Sequence, residues 1–154
     1  MTDVQDRNRE LLAAVRVRRD RLYEGILDLE RALGVPAGDH PQEWATDVAV
    51  VVANLRTVLD AHVADTEADG GFFDDVRDHA PQLMHAVEQL RAEHGPLLDA
   101  TQSLAERSGS AGASVDVDHV RDEAVDLIRR LLQHRHRGAE LVYDAYSVDI
   151  SAAD

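Results

Sequence analysis

Eight histidines punctuate a chain that has no cysteine, and three of them, His62, His94 and His134, fall at positions otherwise taken by leucine and valine. A neutral imidazole carries one N–H and one lone pair, and a run of aliphatic side chains satisfies neither. One such histidine is accounted for by a hydrogen bond to a neighbouring polar side chain. Three on three separate apolar segments form the pattern by which a helical protein converges donors on a metal ion. Thiolate is excluded by the missing cysteine, so an ion here must be held by imidazole, carboxylate or phenolate.

The acids and the remaining histidines sort by helical angle. In LLQHRHRGAELVYDAY (131 to 146), His134 and His136 stand about 160° apart on an ideal helix, so only one points inward. The apolar phase of Leu131 and Leu141 assigns that place to His134. His136 is the alternative, because Glu140 lies four residues later on its own face. Glu67 follows His62 by five residues, about 140° away, and reaches the same ion only if the helix opens by a π-bulge or frays at ADGG. Gly138, one turn beyond His134, either leaves room for an ion or a small ligand or marks a close helix contact. Tyr143 is a further oxygen donor for a rearranged site. His85 lies two positions off the apolar phase of its segment, while His40, His79 and His119 read as surface groups.

Turn signals fix what must position these side chains. GVPAGDHP (34 to 41), ADGG (68 to 71) and SGSAGAS (108 to 114) break the chain into four long segments. Within each, apolar residues recur at alternating steps of three and four: Leu22, Ile26, Leu29 and Leu33 in the first, Val48, Val51, Leu55 and Val58 in the second. The third carries Val87, Leu90, Leu97 and Leu104, and the fourth Ala124, Leu127, Leu131 and Leu141. That period predicts helices rather than strands. Pro41 suits the first position of the second helix. FFDDVRDHA predicts a short extra helix between the second and third long ones. The expected fold is all-α, one domain over 1–154: an up-down-up-down antiparallel four-helix bundle, since short connections force neighbours antiparallel.

Sixteen Lys+Arg against thirty Asp+Glu give a net charge of -14, which repels phosphate backbones and anionic lipid and argues against nucleic acid or membrane as partner. No stretch has the apolar length of a spanning helix, and MTDVQDRNRELL lacks the basic and apolar pattern of a leader, so a cytoplasmic location is expected. Arg19, in the apolar phase of the first segment, is expected to snorkel or to pair with an acid. No serine sits in a nucleophile elbow, and SGSAGAS lacks the lysine of a phosphate loop.

The stretches DAHVADTEADGGFF, LRAEHGPLLDAT and LLQHRHRGAELVYDAY, in that order on successive helices, resemble the hemerythrin-like (HHE cation-binding) family over roughly residues 5 to 150. The resemblance implies a four-helix bundle with a non-haem di-iron centre that binds or senses O2, or handles a related small oxidant such as peroxide or nitric oxide. It carries His62, Glu67, His94, His134 and Glu140 over as ligands. The chain departs from the family in three places. The first helix has no histidine, leaving Glu10 or Asn8 as substitutes. Leu98 stands where the oxygen carriers have a second histidine, and His134 and Glu140 are six residues apart rather than four or five. A mononuclear iron site, a zinc or iron buffer, and a metal-free bundle acting as an interaction module are the alternatives.

Overall fold

The computed structural model describes residues 2–110 and 114–152, and the described chain is helical with no strand. Four long helices, α1 (Thr2–Gly34), α2 (Pro41–Glu67), α4 (Met84–Gly109) and α5 (Val117–Ala152), follow one another along the chain. The short α3 (Phe72–His79) and a 3-10 turn (Pro81–Leu83) lie between α2 and α4. The expected extra helix is therefore present. The centre of the expected SGSAGAS connection, 111–113, lies outside the described residues, and α4 runs through its first two residues to Gly109.

Local chemistry explains the breaks. Pro41 opens α2, where a missing N–H costs no helical bond, and His40 O accepts from Trp44 N at 3.1 Å. Gly38 (φ 53) and Gly70 (φ 74) take the left-handed backbone that the two turns need and that side chains disfavour. Asp74 then accepts from Gly70 N at 2.8 Å across the start of α3. Arg121 ties the first turn down by donating to Leu33 O and, at 3.3 Å, to Val35 O, with its guanidinium 4.9 Å from the Trp44 ring.

Contacts between helices fix their register. Arg18 pairs with Asp65, and Gly25 admits Leu55, whose Cδ1 lies 3.0 Å from where a glycine Cβ would stand. Arg56 reaches Leu98 O at 3.3 Å and Gln102 at 2.9 Å, Arg107 pairs with Glu123 at 3.2 Å, and Arg137 pairs with Glu93 at 2.7 Å.

Two clusters of buried side chains fill the interior. One gathers Leu22, Ile26, Val48, Leu55, Leu104 and Leu127 with their neighbours. The other gathers Phe72, Phe73, Val76, Val87, Leu90 and Leu141. The seam between them is polar: His94 lies in α4 between Leu90 of one cluster and Leu97 of the other, and His134 lies in α5 between Leu131 and Leu141. Among the described residues, no helix is long and apolar enough to cross a membrane.

Candidate metal centre

The alternation of threes and fours that buries Leu59 on α2, Leu90 and Leu97 on α4, and Leu131 on α5 also turns His62, His94 and His134 inward at one level. Their candidate donor nitrogens all lie within 4.8 Å of one another. His94 and His134 are each 2% exposed, and His62 is partly buried. His62 Nε2 and His134 Nε2 are 3.3 Å apart, and the three ring centroids stand 5.0 to 5.5 Å apart, edge to face. Two nitrogens bound to one tetrahedral ion at about 2.0–2.1 Å stand about 3.3 Å apart. The spacing of these two therefore already fits a shared ion.

Carboxylates stand behind the imidazoles rather than among them. Glu67 Oε1 lies 3.5 Å from His94 Nδ1, and Glu93 Oε2 lies 3.6 Å from His134 Nδ1 while Arg137 holds Glu93 at 2.7 Å. Both distances sit at the edge of hydrogen-bond reach, and in each histidine the acid faces Nδ1, leaving Nε2 for the cluster. Acids placed so are the usual outer support of metal-bound imidazole, fixing the tautomer and strengthening the donor. Phe73 of α3 stacks on the other face of His94, with centroids 5.8 Å apart at 14°.

Burial sets the charge state. It is the main cause that pushes His62 down to about 4, with His94 adding to it. Burial likewise pushes His134 down to about 3, helped by His62, His94 and Arg137. His94 is also lowered, chiefly by burial, with Glu67 and Glu93 opposing. All three imidazoles are thus held neutral, the form that donates to a metal. Both ring nitrogens of His94 and Nδ1 of His134 are buried without a hydrogen-bond partner. Each such group costs roughly 1–3 kcal/mol unless something satisfies it.

A cavity of about 640 Å³ opens beside the cluster, bounded by α1, α2, α4, α5 and the start of α3. Its walls include Leu11, Val15, Leu22, Phe72, Leu90 and Val142, with the histidines on one side. Arg18 and Asp65, both substantially exposed, pair at its mouth. Arg19 and Arg135 also line it, and Nε of each is buried without a hydrogen-bond partner. Burial and then the Arg135 charge lower the pKa of Arg19, with Asp20 opposing. Arg135 also lies over the Tyr23 ring at 4.6 Å.

Of the six residues expected from sequence to hold metal, the structure brings together His62, His94 and His134. Glu67 is placed behind His94, because α2 ends at Glu67 without a bulge and Ala68 N closes onto Ala64 O at 2.9 Å. His136 and Glu140 correct the expectation most plainly. They pair with each other at 3.2 Å on the outer face, 74% and 62% exposed, because His134 already claims the inward phase of α5. Tyr143 is 71% exposed, and His85 and Glu10 are exposed as well. Neither Glu10 nor Asn8 lines the cavity, where α1 offers leucine, valine, alanine and arginine instead.

Sequence reasoning missed Glu93, although it precedes His94 directly and so sits about 100° round the helix, toward α5. It also missed Arg135, adjacent to His134, and the placement of Arg19 on the cavity wall. Gly138 does line the cavity, and a side chain there would meet nothing within 4 Å, so the expected room beyond His134 is present. No family model matches this chain, and no curated protein or solved structure matches it either.

Proposed function

We propose that this protein is a metal-binding helical bundle that holds one first-row transition-metal ion on His62, His94 and His134. The observation that carries the reading is the convergence of three neutral imidazoles from three helices, with buried nitrogens of His94 and His134 left unsatisfied by protein. An ion between them would satisfy His94 Nε2, and Glu67 and Glu93, drawn in slightly, would accept from the outer Nδ1–H groups of His94 and His134 and balance the charge. The paired contacts between helices support an up-down-up-down arrangement, because partners fall in number on one helix as they rise on the next: Arg56 with Gln102, His62 with His94.

Ferrous iron is the ion that the hemerythrin-like resemblance suggests, and bound there it would supply open coordination positions for O2, peroxide or nitric oxide. The chain's own part is to open those positions onto a cavity whose walls, Leu90 and Phe73 among them, are mostly apolar. We read the site as mononuclear: α1 contributes no ligand, and Glu140 is on the outer surface. One observation favours zinc as a second reading, namely that three imidazoles without an inner carboxylate are also the donor set of a four-coordinate zinc site with one position free.

The test is metal content and the ultraviolet-visible spectrum of protein prepared with iron and, separately, with zinc, in air and after anaerobic reduction. About one ion per chain, with a ligand-responsive spectrum for iron, is the expected result. No bound metal from either preparation, with a melting temperature indifferent to chelator, would overturn the reading and leave a metal-free bundle whose histidines are structural.

A further inference from the structure

We propose that the cavity beside the histidines binds an organic carboxylate with an apolar tail, its headgroup anchored by Arg19 and Arg135. Three observations carry this. The cavity, at about 640 Å³, is far larger than a diatomic ligand needs and falls in the range of pockets that enclose small organic molecules. Its walls are mostly aliphatic and aromatic, with Leu11, Val15, Leu22, Phe72 and Val142 among them, which suits a hydrocarbon body.

The third observation concerns charge. Two arginines are brought to this wall with buried, unpartnered Nε atoms, and neither makes an ion pair among the described residues. The nearby Arg18, by contrast, is paired with Asp65. Two like charges on one apolar wall repel, an anion between them would offset that, and a guanidinium fork matches a carboxylate in shape as well as charge. Stacking on Tyr23 holds Arg135 in place for that role.

The inference deepens the metal reading, because the histidines and the arginines share one cavity and a bound carboxylate would lie beside the ion. The arginine anchor itself needs no metal, so the two can fail separately. The experiment is calorimetric titration of metal-free and of zinc-loaded full-length protein with octanoate, and with octanol and acetate as probes that each lack one half of the ligand. Octanoate is expected to bind the metal-free protein at one per chain. Arg19→Gln and Arg135→Gln should each weaken it about tenfold or more, while leaving the weaker binding of octanol unchanged.

Gly138→Leu, which adds bulk into open space without disturbing the backbone, should block octanoate and retain the fold. Octanol binding as tightly as octanoate would overturn the anchor, and acetate binding as tightly would overturn the apolar body. Octanoate binding to a protein that, without octanoate, takes up neither iron nor zinc would remove the metal reading and leave the carboxylate site standing.

Discussion

The end of the bundle around Leu55, Leu104 and Leu127 and the end around the three histidines are made from the same aliphatic residues at the same spacing, yet they close differently. At the first, Leu55, Leu104 and Leu127 are 0 to 1% exposed, and the indole nitrogen of Trp44 is a buried atom left without a hydrogen-bond partner. The buried hydroxyls of this end bond their own helix, Thr101 to Leu97 O at 2.7 Å and Ser108 to Leu104 O at 2.6 Å. At the second, imidazole and guanidinium nitrogens are buried unsatisfied beside a cavity of about 640 Å³. A chain selected for stability alone would fill that space and remove those nitrogens. The contrast sets a densely packed end apart from an end whose buried nitrogens and open space suit the proposed ligands.

The sharpest way to break the comparison is to make the second end like the first. Replacing His62, His94 and His134 together by leucine is expected to reduce bound metal from about one ion per chain to none. The same variant should raise the unfolding free energy of the metal-free protein, read by denaturant titration. Retained metal would mean that the ion sits elsewhere; lower stability would mean that the histidines are well satisfied as they stand.

Truncations then compare the two packings directly. Leu104→Ala, at the dry end, should cost about 2–5 kcal/mol. Val15→Ala already faces the cavity and should cost about 1 kcal/mol or less. Similar losses at both sites would show the cavity to be closed in solution.

Acid should act through the histidine end. His62 and His134 titrate near 4 and 3 when folded and near 6.5 when unfolded, so between these values the unfolded chain binds more protons. Their contribution is therefore complete above about 6.5 and is lost as pH falls, at up to roughly 1.4 kcal/mol per unit for each group. Denaturation of metal-free protein from pH 7 to 4 should show this slope, and the triple leucine variant should lack it, leaving only the response of the acids common to both.

Smaller effects test the outer support. Glu67→Gln and Glu93→Gln should each weaken metal affinity about 10- to 100-fold in competition with a chromogenic chelator, with stoichiometry unchanged. The smallest change is expected on the outer face of α5. His136→Ala breaks an exposed pair worth about 0.5 kcal/mol or less and should leave metal content alone. A loss of metal there would return His136 to the site.

Much of this arrangement is legible in the sequence because one periodicity governs both packing and function. The phase of Leu127, Leu131 and Leu141 places His134 inside and sends His136 out, as the structure shows. The phase of Val87, Leu90, Leu97 and Leu104 does the same for His94. Second-helix burial shifts slightly, with Val52 and Leu59 fully buried where Val51 and Val58 were expected, and the latter two pack at the edge. What the pattern does not carry is the reach of long side chains. Glu93, Arg19 and Arg135 stand off the apolar phase or against it, and which neighbour they meet depends on helix register and on rotamers that no linear spacing encodes. Glu67 shows the reverse: the family resemblance implies a ligand, and the end of α2 sets its carboxylate against His94 Nδ1 instead of among the clustered nitrogens.

The cationic wall lies inside a molecule whose net charge is -14. At long range an approaching carboxylate meets repulsion, and only within the mouth at Arg18 do the arginines prevail; a divalent cation is drawn in from the start. Association of the two partners should consequently respond to salt with opposite signs, capture of the anion quickening and capture of the metal slowing as ionic strength rises and the outer field is screened.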